Sequence, residues 1–196
     1  LTFDEKTSET ILNFAKQAEA NKDYEAAMNF YSVYSGKEDI TEGLKNAKYN
    51  TAIGYIEKEL YNIAAANFKE LGNYKYSKHL YLWSEVQAAK AVDNTDRARS
   101  ELKSKLKDPS SYQENSAFYD AMGYVRKDRN GKQIVAIEYR VTINYSATNS
   151  FGGRITDNYL WTQEKYEDLE ADGIPEGELK QFIRMKQAKV LETVKA

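Results

Sequence analysis

The sequence predicts an α+β chain: an N-terminal array of antiparallel α-hairpins followed by a three-stranded antiparallel β-meander covered by helices. Three observations carry this. A segment recurs at a spacing of about 37 residues in the first half. Proline is missing from that whole stretch, since the two in the chain are Pro109 and Pro175. Beyond Pro109 the periodicity changes, and Gln133 to Ala147 alternates apolar and polar residues.

The recurrence sets Tyr24 on Tyr61, Ala27 on Ala64, Tyr31 on Phe68 and Tyr34 on Leu71, with Ala15, Ala52 and Ala89 as a further series. A small residue four before a large one lets a neighbouring helix approach beside a filled groove, which is the pattern of stacked hairpins. A first helix carries Ile11, Leu12, Phe14, Ala15 and Ala18, and breaks at Asn21-Lys22-Asp23. The second runs from Tyr24 to Tyr34 and stops at Gly36. Asp39-Ile40-Thr41-Glu42 supplies cap candidates for a third, carrying Leu44, Ala47, Ala52, Ile53 and Ile56. A fourth spans Tyr61 to Leu71 before Gly72, and a fifth spans Tyr76 to Ala91 through Leu80, Trp83 and Val86. Asp93 to Asp96 breaks the pattern, and a sixth helix carries Ala98, Leu102 and Leu106. At the 37-residue spacing its small and large positions fall on Glu101 and Lys105, so a third repeat is either incomplete or replaced by a terminal cap.

In the second half, Val135, Ile137, Tyr139, Val141, Ile143, Tyr145 and Ala147 share one strand face, and Ala136 to Ser146 the other, wetter one. Asn130-Gly131 signals a hairpin, which makes Phe118 to Lys127 the partner strand. Asn149 to Gly153 is a second turn, and Arg154 to Trp161 returns with Ile155, Tyr159 and Trp161 on one face. The apolar face needs cover. The helix of Leu102 and Leu106 offers it, and so does a final helix beginning at Pro175 with Leu179, Phe182, Ile183, Val190, Leu191 and Val194. The domains expected are 1–107 and 108–196.

Two stretches carry resemblances. Ala64-Ala65-Ala66-Asn67-Phe68-Lys69-Glu70-Leu71-Gly72-Asn73-Tyr74-Lys75-Tyr76-Ser77 resembles the tetratricopeptide-like repeat in its bacterial Phe-x-x-Leu-Gly form. That resemblance implies a concave scaffold for peptides or protein segments. Leu106-Lys107-Asp108-Pro109-Ser110-Ser111-Tyr112, then Tyr145 to Gly153, is similar to a small α+β module of Gram-positive extracytoplasmic, lipoprotein-like proteins. It implies location and architecture, and no reaction.

Composition removes several function classes. Lys+Arg 28 against Asp+Glu 30 leaves a net charge of −2, which gives no electrostatic case for nucleic acid. The chain has no cysteine, so disulfides, thiolate metal sites and cysteine nucleophiles are excluded. No apolar run approaches the ~20 residues of a membrane span. The chain starts at Leu1 rather than Met; a removed leader or lipid anchor is the expectation, and the only route to a membrane. His79 stands alone, without a second histidine for a transition-metal site. Glu164, Glu167, Asp168, Glu170, Asp172, Glu176 and Glu178 read as a solvated helix end and linker rather than a calcium loop. Ser110 and Ser111 read as turn caps, with no base specified for a nucleophile.

The function expected is therefore a non-catalytic protein- or peptide-interaction scaffold, extracytoplasmic, with no cofactor. Tyr31, Tyr55 and Tyr81 are its candidate contacts, taken as exposed aromatics of a helical groove. The alternative is a cell-wall or small-ligand-binding protein using the β module, with Asn149, Phe151 and Gly153 at the mouth, where adjacent glycines leave backbone amides free. The competing reading of that loop is a hairpin connection with positive φ and Phe151 tucked into the core. A hydrolase ranks last.

Overall fold

The 37-residue period is realised as paired helices. The computed structural model describes residues 5–34 and 40–170. Six helices, α1 (Glu5–Ala20), α2 (Tyr24–Val33), α3 (Thr41–Glu57), α4 (Tyr61–Leu71), α5 (Ser77–Lys90) and α6 (Thr95–Lys105), precede β1 (Gln113–Lys127), β2 (Gln133–Thr148) and β3 (Arg154–Glu170). The strands form one antiparallel sheet in the order β1-β2-β3. The chain divides into two compact units, and the division falls inside α5, between Ser84 and Glu85. The predicted final helix from Pro175, the acidic residues beyond 170, Gly36 and Asp39 lie outside the described residues.

In the first unit α1 packs on α2, α2 on α3, and α3 on α4. The aligned residues are its core: Ala15, Ala27, Tyr31, Ala52, Ala64 and Phe68 are all buried. Gly43 marks a close approach, since a Cβ there would lie 2.6 Å from the Tyr31 ring. The repeat extends into the turns. Asp23 N donates to Ala18 O and Lys22 N to Glu19 O; 37 residues on, Leu60 N donates to Tyr55 O and Glu59 N to Ile56 O. Both turns are Schellman motifs with a non-glycine residue in the left-handed region, Lys22 at φ 60° and Glu59 at φ 59°. A side chain there costs ~1 kcal/mol against glycine. Glu59→Gly is therefore expected to stabilise the helical unit by roughly that amount, read as a higher denaturant midpoint; a lower midpoint would mean the Glu59 side chain makes compensating contacts.

α6 follows α4 on a shorter period than the 37 residues that relate α2 to α4. Tyr61 to Thr95, the starts of α4 and α6, is 34 positions. Ala98 and Leu102, not Glu101 and Lys105, thus stand where Ala64 and Phe68 stand in α4, and they are buried. In the second unit they pack on the sheet, against Val141, Ile143, Tyr145, Ala147 and Trp161. That packing is why α6 belongs with the strands.

Two polar clamps flank this ridge. Toward β1, Arg99 donates Nε and Nη2 to Glu114 Oε2 and Oε1 at 2.7 and 2.8 Å. Toward β3, Glu101 accepts from Lys105 Nζ (2.7 Å), Tyr159 OH (2.8 Å) and Trp161 Nε1 (2.8 Å). The Arg99 bonds hold the Glu114 carboxyl down to about 2, and Lys105, with Tyr159 and Trp161, holds Glu101 down to about 2. A depressed carboxylate contributes stability that is complete above its unfolded value and is lost as pH falls toward the folded one. The α6–sheet contact should therefore persist through pH ~4 and loosen only toward pH ~2. Amide exchange along α6 across that range checks it, and loosening already complete at the ordinary carboxylate range would contradict it.

Both hairpins use one turn design. Asp128 N donates to Lys132 O and Gly131 N to Asp128 O; equivalently, Asn149 N donates to Gly153 O and Gly152 N to Asn149 O. Gly131 (φ 79°) and Gly152 (φ 81°) supply the left-handed residue of a type I turn with a G1 bulge. Two strand boundaries differ from expectation. β1 begins at Gln113 rather than Phe118, with a register shift between Glu114 and Ser116. β3 continues to Glu170, so Glu164, Glu167, Asp168 and Glu170 lie on a strand paired with β2 and not on a helix end. On β2 the second face is not wet throughout: Ile134 and Ala136 are buried along with Val135 and Ile137.

Candidate functional site

The helical unit carries an open cleft of about 700 Å³ along α3. Its length follows from helix geometry. Asn46, Asn50, Gly54 and Lys58 recur every four residues, so they form one stripe about 18 Å long at 1.5 Å per residue. Tyr49, Ile53 and Glu57 form the adjoining stripe. The α1–α2 turn, Lys22 to Glu25, makes one wall, and Lys75 stands on the link from α4 to α5. Asp23 caps α2 by accepting from Ala26 N at 3.2 Å, which fixes that wall.

One end of the cleft is locked by a polar network. Glu19 accepts from Asn46 Nδ2 and, at 3.0 Å, from the Tyr31 phenol. Asn46 Oδ1 accepts from Lys75 Nζ at 2.6 Å, and the Asn46 carbonyl accepts from Asn50 Nδ2 at 2.8 Å. Lys75 Nζ also lies 5.2 Å from the centre of the Tyr49 ring, a cation–π contact. Burial pushes the Tyr49 phenol well above its ordinary value, so it stays neutral. Lys75 is thus committed within the fold. Lys22 and Lys58 have no described partner, and the cleft's cations Lys22, Lys58 and Lys75 are balanced by Asp23, Glu25 and Glu57. The site offers amides, phenols and a bare helix surface without a dominant charge.

Of the predicted aromatic contacts, Tyr55 lines this cleft. Tyr31 does not: it is 3% exposed, and burial beside Glu19 pushes its phenol up to about 12. Its place on the repeat is that of Phe68, a core position, and the Glu19 carboxylate satisfies the hydroxyl that would otherwise keep it at the surface. Tyr81 is half-buried on α5 with Lys69 Nζ 5.8 Å from its ring centre, and it does not line the cleft.

The β-turn candidates form a different arrangement. Asn149 Oδ1 accepts from Phe151 N at 2.9 Å and Gly153 N at 3.0 Å. With Gly152 N bonded to Asn149 O, these amides are consumed by the turn and are not free for a ligand. Phe151 is not in the core; it is 97% exposed at the tip. Ser111 proves to be a tie, its hydroxyl accepting from Thr148 N at 2.9 Å.

Asn46, Asn50, Gly54 and Lys58 were not singled out by the sequence. The signal was present, because they sit opposite the apolar positions Ala52 and Ile56 at helical spacing. Polar residues at that spacing otherwise mark an ordinary solvated face.

Among the described residues no group of three or more His, Asp or Glu side chains is placed to hold a metal ion, and no helix is long and apolar enough to cross a membrane. No protein-family model matches the chain, and neither a curated protein nor a solved structure matches it.

Proposed function

We propose that this protein is a non-catalytic scaffold that holds a peptide or protein segment in the α3 cleft. Its helical unit is read as a tetratricopeptide-like array, and its place of work as the outer side of a Gram-positive-type cell envelope. The observation that carries the reading is the cleft itself: an elongated, charge-balanced trough with Tyr55 and Lys58 on its surface. Its length of about 18 Å matches an extended segment of roughly five residues. The recurrence, and the similarity of the Pro-Ser-Ser and Asn-Ser-Phe-Gly motifs to an extracytoplasmic module, support the assignment of type and location.

Panning a random peptide library on the intact chain tests it. Enriched peptides should bind the wild type and lose most of their affinity on Tyr55→Ala, with the helical signal unchanged. No enrichment, or enrichment indifferent to Tyr55, would sink the reading.

A second reading rests on Phe151. A fully exposed aromatic held out by a saturated turn is a preorganised contact for a partner or for wall material. Phe151→Ser leaves every turn hydrogen bond intact, so binding of soluble wall fragments that disappears in this variant would favour the β unit instead.

A further inference from the structure

Glycine in a helix is disfavoured relative to alanine, so a helical glycine calls for a reason. At Gly43 the reason is steric, since the Tyr31 ring leaves no room for a Cβ. At Gly54 the fold supplies none. The residue lies in the last turn of α3, its φ is not in the left-handed region, and an added Cβ would meet no described residue within 4 Å. The open space above it is the cleft.

One turn earlier, the Asn50 amide nitrogen is tied back to the Asn46 carbonyl at 2.8 Å, which sets the orientation of its Oδ1. That oxygen has no donor among the described residues. The cleft's formal charges cancel, so a ligand would not be held chiefly by charge. We propose that Gly54 is the point where the main chain of a bound peptide crosses α3 in direct contact with the helix backbone, and that Asn50 Oδ1 accepts one of its N–H groups. This rests on the peptide-scaffold reading and specifies what the cleft recognises: an extended backbone, not a charged side chain or a free terminus.

The signature is an opposition of signs. Peptides enriched on the intact wild-type chain serve as the probe. Gly54→Ala should raise the thermal midpoint by roughly 3 °C through helix propensity, yet weaken those peptides about tenfold by lifting them off the helix. Gly54→Leu should abolish binding with the midpoint no lower than wild type. In a scan of single N-methylations along the peptide, one position should lose about tenfold or more, and Asn50→Leu should remove the penalty at that same position.

Three results would overturn the inference. Affinity unchanged in Gly54→Ala would show that the glycine makes no contact. A lowered midpoint in Gly54→Ala would show that it serves the fold. An N-methyl scan without a sensitive position would show that the main chain is not read. Failure to enrich any peptide on the wild type is a separate outcome; it removes the scaffold reading itself.

Discussion

Phe68→Ala is expected to destabilise the helical unit by ~4 kcal/mol, which for a unit of this size lowers its melting midpoint by on the order of 20 °C. Phe68 is fully buried on α4, four residues after the close-packed Ala64. The Tyr49 ring meets it edge-on at 5.7 Å. Removing the ring forfeits its transfer free energy and leaves a cavity whose cost depends on whether the neighbours can close it. Here closure is opposed. Tyr49 is also held by the Tyr74 ring at 6.0 Å and by Lys75 at 5.2 Å, contacts it would have to give up to fall into the void. Phe68→Leu, which keeps most of the volume, should cost well under half as much. Thermal and denaturant melts followed by helical dichroism check both values. A loss under about 1 kcal/mol would mean that the hairpin collapses and that the repeat does not set the packing.

Leu102→Ala is expected to act on the other unit, with a loss of ~3 kcal/mol. Leu102 is 2% exposed in the cluster of Val141, Ile143 and Trp161. The Arg99–Glu114 and Glu101–Trp161 clamps hold α6 at a fixed height above the sheet, which prevents it from settling into the gap. Native-state amide exchange should show β2 losing protection in Leu102→Ala while α3 and α4 keep theirs; Phe68→Ala should show the converse. Equal losses in both units from either variant would mean that the division at 84/85 is not a thermodynamic one.

The elements were legible where local pattern and tertiary demand agree. Ala27, Tyr31, Ala64 and Phe68 announce stacked hairpins because the same residues that set the period form the core. Val141 and Ile143 announce a strand because alternation and burial coincide. The ends of β1 and β3 were not legible. Gln113 to Ala117 and Thr162 to Glu170 have few β-forming side chains, and their conformation comes from the ladder with β2, a long-range fact. The sixth helix was found, but its repeat register was missed. A fixed spacing cannot see that α5, at 14 residues, is three residues shorter than α3, at 17, so that α6 starts 34 positions after α4, and Ala98 and Leu102 emerge as the aligned pair only from burial.

The site was less legible than the fold. Tyr31 and Tyr55 look alike in sequence, and the Glu19 carboxylate that makes Tyr31 a core residue lies twelve positions away. Phe151 is read from sequence both as a contact at the mouth and, in the competing reading, as a core residue, because large aromatics usually are buried. Its exposure follows from the hydrogen-bonding of Asn149, which builds the turn without using the phenyl ring. Gly54 gives no sequence signal at all, since a glycine near a helix end is unremarkable until the space around it is known.

The chain has two tryptophans, and the division inside α5 places one in each unit. Both are buried, but their indoles differ. Trp161 donates its N–H to the Glu101 carboxylate at 2.8 Å, whereas Trp83 Nε1 meets no acceptor among the described residues and faces the Tyr61 ring edge-on at 5.7 Å. The intrinsic emission of the protein is therefore two separable spectra, one reporting the helices and one the sheet. Protonating Glu101 shifts only the second, and light absorbed by tyrosines such as Tyr61 passes to Trp83 and brightens the first. With Trp83→Phe and Trp161→Phe as the two blanks, an unlabelled sample shows in which unit a ligand, an acid or a substitution has acted.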